Sequence, residues 1–189
     1  MKEELTKEQI SLILKGEYKA DFIKAFGIIH YHYPDCEEEK LVKTENENIK
    51  VHYKCLEAFN KMKEVALKDG IKLEIISGYR SSKYQIGIFK HKFKNPDEPT
   101  VEELKKRLSV SAPSGYSEHH TGLAIDINSV EDDFAGTAEA IWLECNAPKF
   151  GFELSFPKNN TQGLSHEPWH WRYIGDEECK KAMSKHFGC

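Results

Sequence analysis

The sequence contains no long apolar run. No stretch approaches the roughly 20 apolar residues of a membrane-spanning helix, and residues 1–5 show neither the apolar region nor the small-residue cleavage site of a signal peptide. We therefore expect no membrane span. As it stands, the sequence predicts a cytoplasmic protein, and a place in the cell envelope or outside the cell is the alternative if a leader has been removed.

An excess of positive charge is also missing. The 27 Lys and Arg residues are interleaved with 31 Asp and Glu residues, which gives a formal net charge of −4 at pH 7. Nucleic-acid-binding proteins more often carry a basic face, so no nucleic-acid partner is expected.

No two of the five cysteines form a Cys-x-x-Cys motif. The odd number of five argues against a disulfide framework, and the missing motif argues against a zinc–thiolate knuckle. We interpret the cysteines as mostly reduced thiols, although spacing leaves a Cys179–Cys189 pair open.

The chain has the length and the patterning of a globular protein, with 189 residues of which 39% are hydrophobic. Apolar residues at three- and four-residue steps predict helices, and alternating residues predict strands. The predicted helices are 51–69, 82–94, 101–108, 137–146 and 177–186, and the predicted strands are 73–77, 123–128, 152–156 and 169–173. Because the helices come first and the strands cluster later, we predict an α+β fold with a small central antiparallel sheet flanked by helices.

The first 50 residues differ from the rest. They are charged, carry two short apolar stripes at 10–14 and 22–26, and include a polar stretch at 37–48 that reads as a loop or hairpin. We predict that residues 1–50 form a helical N-terminal extension packed on the core, and that residues 51–189 form the main domain.

Two short segments contain His, Asp and Glu residues that could bind a metal ion or transfer protons. The first is SEHHTGLAID over 117–126, and the second is EPWH over 167–170. Gly122 permits a tight turn between His119 and Asp126, and strand alternation places Asp126 opposite the buried apolar face of its strand. His170 would approach from a second strand, so the three side chains can reach one ion.

Two imidazoles and one carboxylate, with an open water position, are typical of catalytic zinc, whereas structural zinc sites are closed by four ligands and rich in Cys. His119, Asp126 and His170 therefore predict a site for one zinc ion. Zinc would lower the pKa of bound water to about 7. Glu167 would accept its proton and pass it to a leaving amine, and Arg80, after a predicted strand, is the candidate cation for the oxyanion.

Each feature alone has an ordinary explanation. The spacings His-x6-Asp and Glu-x-x-His occur by chance, and a lone arginine more often forms a salt bridge. His120 points away from His119 on an extended chain, and His166 is expected to line the cleft rather than to bind metal. The other histidines are interpreted as surface or core residues: His30, His32, His52, His91 and His186.

The combined pattern resembles a known family. Both clusters, together with SGYRS over 77–81, are similar to the VanY-like D-alanyl-D-alanine carboxypeptidases of peptidase family M15. These zinc peptidases share the fold of lysostaphin-type and sonic-hedgehog-like proteins. The similarity spans about residues 51–175, which makes 51–189 the catalytic domain.

The resemblance implies a role for each site residue. His119, Asp126 and His170 would bind zinc, Glu167 would be the general base, and Arg80 would stabilise the oxyanion or hold the substrate. Ser117 and Gln85 would contact the substrate, a peptidoglycan stem peptide or precursor. Two features depart from the family: His166 stands where an aromatic residue is common, and residues 1–50 show no recognisable motif of the family. Residues 1–50 would either cover the active site or form a lineage-specific addition.

We therefore predict a zinc-dependent carboxypeptidase that removes the terminal D-alanine of peptidoglycan precursors or stem peptides, with D,D- and L,D-specificity both open. A D,D-dipeptidase is one alternative on the same scaffold. A phage-type peptidoglycan endopeptidase is another, although such relatives more often carry Asp at the position of Glu167. A catalytically silent zinc-binding module is the alternative from another class, and Glu167 argues against it because a structural site needs no base.

Overall fold

The computed structural model describes residues 5–18, 21–24 and 26–184. The helices are α1 (Lys7–Lys15), α2 (Asp21–Lys24), α3 (Tyr53–Lys68), α4 (Ser82–Lys90), α5 (Val101–Val110), α6 (Ala138–Asn146) and α7 (Glu177–Ala182). The strands are β1 (Leu41–Lys43), β2 (Lys50–His52), β3 (Ile75–Ser77), β4 (Ala124–Ile127), β5 (Phe152–Leu154) and β6 (His170–Tyr173). Short 3₁₀ turns lie at Glu38–Lys40, Glu118–Thr121, Asp132–Gly136 and Ala147–Phe150.

The central sheet has four strands in the order β3-β4-β6-β5, and every neighbouring pair is antiparallel. A separate hairpin pairs β1 with β2. The predicted α+β fold with a small antiparallel sheet is confirmed. Helix α3 packs on one face of the sheet, where Phe59 and Met62 meet Ile125 and Trp171 in the main apolar cluster.

A second apolar cluster joins the N-terminal segment to the middle of the chain. Ile13 and Ile23 are fully buried there against Phe89, Leu104 and Leu108 of α4 and α5. Each such side chain contributes about 1.5–3 kcal/mol when it leaves water. Within residues 1–50 the described helices are limited to α1 and α2, and the hairpin β1–β2 crosses residue 50, so the division of the chain at that residue stays a prediction.

Helix α3, the helix predicted over 51–69, begins two residues later than its apolar pattern predicts. Val51 pairs with Val42 in the hairpin, so the chain is still extended at the predicted start. The His52 ring then accepts a hydrogen bond from the Lys54 N–H at 3.2 Å and caps the helix, which begins at Tyr53.

Helix α4 ends at Lys90, four residues before its predicted end. Arg107 donates to the carbonyl oxygens of Ile88 and Phe89 and thereby satisfies the last turn. Towards the other end of the chain, the strand predicted over 152–156 stops at Leu154.

Strand β4 was expected to be buried on one face, and this is wrong: all four of its residues are buried. The apolar face meets α3, while Asp126 on the other face lines a cavity whose wall includes residues 117–119. The terminal helix is described as α7, and His186 and Cys189 lie outside the described residues. Cys55 and Cys179 are buried free thiols, and Cys36 and Cys145 are also unbonded.

Candidate active site

The two sequence motifs meet on the cavity side of the central sheet. Asp126 of β4 and His170 of β6 are directly opposite in an antiparallel pair, so their side chains share one face. His170 Nδ1 lies 2.9 Å from Asp126 Oδ1. His119 arrives from the 3₁₀ turn before β4, and its Nε2 lies 3.4 Å from Asp126 Oδ2.

Gly122 makes the turn that brings His119 back over β4. Its φ is +66°, in the left-handed region that favours glycine. A Cβ atom at this position would lie 2.9 Å from Leu41 Cδ2 and 3.0 Å from the His52 nitrogen. The hairpin therefore packs against the turn so closely that a side chain would displace it.

The residues fit a zinc ion. One ligand atom from each of His119, Asp126 and His170 lies within 4.8 Å of the other two, and all three residues are buried. Four tetrahedral ligands at zinc distances are separated by roughly 3.4 Å, which is the spacing of His119 Nε2 and Asp126 Oδ2. Two imidazoles and one carboxylate are also the donor set of catalytic rather than structural zinc.

Hydrogen bonds orient both imidazoles. His119 Nδ1 lies 2.7 Å from the Gly78 carbonyl oxygen, and His170 Nε2 lies 3.0 Å from Glu118 Oε2. His119 therefore donates its Nδ1–H to Gly78 and His170 its Nε2–H to Glu118, and the second nitrogen of each ring, His119 Nε2 and His170 Nδ1, faces Asp126. Metal-ligating histidines almost always have such an outer partner, which fixes the tautomer.

The electrostatics of the cluster favour a bound cation. Burial, together with the positive charge of Arg80, lowers the pKa of His119 to about 4. Burial opposes charge on His170, but hydrogen bonds to Asp126 and Glu118 raise its pKa to about 10. Burial likewise raises the pKa of Asp126, and the two histidines overcome this and hold it well below its usual range. A metal ion would replace the Nδ1 proton that His170 otherwise donates to Asp126, while the Nε2 proton would stay with Glu118.

Glu167 stands beside the cluster. Its Oε2 lies 3.9 Å from His170 Nδ1, and its side chain is 20% exposed. Burial raises the pKa of Glu167 to about 7; the charges of His170 and Arg80 oppose this, and those of Asp126 and Glu118 add to it. A carboxylate with a pKa near neutrality can both accept and release a proton at neutral pH.

Arg80, Gln85 and Ser117 line the same cavity of about 880 Å³ as the cluster and Glu167. Gln85 is 1% exposed; its Nε2 donates to the Ala112 carbonyl at 2.7 Å. Its Oε1 and the buried Arg80 Nε have no hydrogen-bond partner within the described residues. Buried polar atoms without partners are rare and call for an explanation, and here both belong to residues that line a cavity large enough for a ligand.

Glu118 is a site residue that sequence reasoning missed. It is 4% exposed, and Arg172 Nη1 and the Tyr33 hydroxyl donate to its Oε1 at 3.0 and 3.3 Å. Its Oε2 accepts from Ser155 and His170. Arg172 lies two residues after His170 and therefore on the same face of β6. In the sequence, this buried cation beside His170 was the one sign that a carboxylate would be buried next to both residues.

The other histidines have structural surroundings. His120 Nδ1 lies 2.6 Å from the Arg80 carbonyl oxygen, and its Nε2 accepts from the Gly115 N–H at 3.0 Å, so it supports the loop. His166 lines the cavity. His30 is buried, with its Nε2 2.9 Å from the Leu108 carbonyl oxygen, and it lines the cavity together with Tyr31 and Tyr33. The N-terminal segment thus forms part of the cavity wall.

Residues 48–176 match the family model described as VanY, D-alanyl-D-alanine carboxypeptidase. The chain belongs to the VanY family. A D-alanyl-D-alanine carboxypeptidase of Enterococcus faecium is 34% identical over 143 residues, which cover 74% of this chain and 43% of that protein. The chain spans about half the length of the curated relatives that it matches.

Solved VanY-family structures share the fold. A VanY D,D-pentapeptidase variant from a VanB-type vancomycin resistance cassette, in complex with Zn(II), superposes with a TM-score of 0.65 at 29% identity and covers 82% of this chain and 92% of that one. The LdcB LD-carboxypeptidase superposes with a TM-score of 0.61 at 32% identity and covers 78% of this chain and 69% of that one.

In the described ranges, no helix is both long and apolar enough to cross a membrane.

Proposed function

We propose that this VanY-family chain is a zinc-dependent carboxypeptidase that hydrolyses the terminal D-alanine peptide bond of peptidoglycan precursors or stem peptides. The observation that carries the proposal is the convergence, in one cavity, of three buried ligand groups with Glu167 and Arg80. The names of the relatives, which include D-alanyl-D-alanine and LD-carboxypeptidases, support the substrate class.

His119, Asp126 and His170 would hold one zinc ion through His119 Nε2, an Asp126 oxygen and His170 Nδ1. When bound, zinc supplies Lewis-acid polarisation of the scissile carbonyl and a water of lowered pKa. Two neutral imidazoles and one carboxylate leave the centre with net positive charge, which suits a reaction that develops negative charge on oxygen.

Glu167 is the proposed general base. Its carboxylate accepts a proton from the attacking water as the carbon–oxygen bond forms. It then delivers this proton to the amine nitrogen of D-alanine as the carbon–nitrogen bond breaks. The pKa of about 7 lets the same group perform both transfers near neutral pH.

Arg80, Gln85 and Ser117 are proposed to position the substrate. The guanidinium of Arg80 lies within the field of Asp126 and Glu167 and would stabilise negative charge on the carbonyl oxygen or hold a substrate carboxylate. The free Oε1 of Gln85 can accept a hydrogen bond from a peptide N–H, and the Ser117 hydroxyl can donate to a peptide oxygen.

The proposal is tested by mass spectrometry of products from a synthetic stem pentapeptide and tetrapeptide, with zinc and with a chelator. We expect zinc-dependent loss of a single D-alanine. Loss from the pentapeptide alone defines a D,D-carboxypeptidase, and loss from the tetrapeptide alone defines an L,D-carboxypeptidase. Release of D-alanyl-D-alanine, cleavage of a cross-linked peptide, or zinc binding without hydrolysis would instead identify a dipeptidase, an endopeptidase or a silent module.

A further inference from the structure

Arg107 of α5 lines the same cavity as the proposed active site, yet it forms no ion pair with any carboxylate of the described residues. Its Nε donates to the Phe89 carbonyl at 3.1 Å and its Nη2 to the Ile88 carbonyl at 2.8 Å. These bonds use two of its five N–H groups, and the other three have no partner in the described part of the chain. The end of α4 thus fixes the guanidinium while leaving most of its hydrogen-bonding capacity free.

Other cations line the cavity, among them Arg80 and Lys92, and Lys92 forms no ion pair among the described residues. Burial, together with the positive charge of Arg80, lowers the pKa of Arg107. Neighbouring positive charges repel one another, and an anion bound between them would relieve this repulsion.

The chemistry of the anion follows from the guanidinium. A fixed, planar guanidinium with free N–H groups matches the two oxygens of a carboxylate. Five acidic residues line the cavity. Asp126, Glu118 and Glu167 belong to the proposed metal centre, and Glu131 and Asp132 form no ion pair with Arg107, so none of the five serves as its counterion in the described part of the chain.

We propose that Arg107 binds a carboxylate of the peptide substrate and thereby determines which peptides the site accepts. This inference rests on the proposed function. A stem peptide can supply the carboxylate from two sources: its C-terminus, or an acidic residue on the acyl side of the scissile bond. If Arg107 only caps α4, it contributes to folding but does not discriminate between peptides.

Calorimetric binding separates these roles without requiring turnover. Zinc-loaded Glu167→Gln and the double variant Glu167→Gln/Arg107→Gln are titrated with three pentapeptides. The first carries free carboxylates throughout, the second has its acyl-side carboxylates amidated, and the third has a C-terminal amide. Lys105→Gln in place of Arg107→Gln is the matched control, because Lys105 is an exposed cation on the same helix that does not line the cavity.

We expect one of the two amidated peptides to bind Glu167→Gln about tenfold more weakly than the parent peptide, the effect of losing one charge-assisted hydrogen bond. In the Arg107→Gln double variant this ratio should fall to within twofold, and in the Lys105→Gln control it should persist. The peptide whose ratio collapses identifies the source of the carboxylate.

Persistence of every such ratio in the Arg107→Gln double variant, or the absence of discrimination in Glu167→Gln, would overturn the proposal; a ratio that persists for one peptide while that of the other falls is the one expected of a carboxylate held by Arg80. If Arg107→Gln prevents folding, Arg107→Lys, which keeps the charge but loses the planar fork, decides the question by the same ratio. Because the readout is binding, failure of this inference is distinct from failure of the proposed function, which would show as no hydrolysis by the unaltered enzyme.

Discussion

Replacing Glu118 by Gln tests whether this carboxylate positions His170 as a zinc ligand. The Arg172 guanidinium at Oε1 can only donate, so the amide oxygen of the new side chain must face it, and the Tyr33 hydroxyl can donate to the same oxygen. The amide NH₂ then faces His170 Nε2, where the carboxylate accepted a hydrogen bond at 3.0 Å. His170 would have to turn this nitrogen into an acceptor and move its proton to Nδ1, the atom proposed to bind zinc.

The size of the effect follows from the hydrogen bond that is lost. A hydrogen bond to a charged group contributes about 1.5–3 kcal/mol, which corresponds to roughly 10- to 150-fold in affinity. Loss of an outer partner of a metal ligand costs about 10- to 100-fold in measured metal sites. We therefore expect Glu118→Gln to weaken zinc binding by about 10- to 100-fold.

Competition with a chelating indicator at pH 7.5 measures this change directly. Glu153→Gln is the matched control, since Glu153 pairs with Arg172 at 2.9 Å but has a 49% exposed side chain and does not contact His170. The control should bind zinc within about twofold of the unaltered protein, in keeping with the small contribution of an exposed ion pair. Equal zinc affinities for the two variants would refute the reasoning.

Two further predictions concern stability. Gly122→Ala should lower the free energy of unfolding by about 1–3 kcal/mol, because φ is +66° and the added Cβ would collide with the β1–β2 hairpin. Gly87→Ala in α4 is the control and should not destabilise the protein, because nothing lies within 4 Å of the added Cβ. Chemical denaturation measures the free energy of unfolding of both variants. Burial lowers the pKa of His30 to about 4 in the folded protein, whereas an unfolded chain has a histidine pKa of about 6.5. Between these two pH values the unfolded state binds more protons than the folded state, so the free energy of unfolding rises with pH. Between pH 5 and 6.5 the gain is about 1–2 kcal/mol, and His30→Gln should remove it from the pH dependence of unfolding; an unchanged pH dependence would show that His30 does not titrate in this way.

The convergence of His119, Asp126 and His170 was accessible from sequence because it depends on local patterns. Alternation in β4 placed Asp126 on the face opposite Ile125, and the aromatic strand around His170 provided its partner. The turn at Gly122 completed the set. These features require only the period of a strand and one flexible residue.

The surroundings of the cluster depend on contacts between distant parts of the chain. Glu118 follows Ser117 and precedes His119, and only the 3₁₀ turn, with Ser155 and Arg172 packed against it, shows that it supports His170. Arg107 belongs to a helix whose own pattern says nothing about α4, and its contacts with Ile88 and Phe89 emerge from tertiary packing. Burial of both faces of β4 likewise depends on the loop and N-terminal segment that enclose the cavity.

Glu167→Gln gives the most direct test of the central claim, that this site hydrolyses a peptide bond with zinc and Glu167. The variant is loaded with zinc, its metal content is measured, and steady-state release of D-alanine from the pentapeptide or tetrapeptide cleaved by the unaltered enzyme is followed. We predict one bound zinc ion and a fall in kcat of about 10²- to 10⁴-fold, the usual contribution of a general base. Full turnover by a zinc-loaded variant would contradict the account.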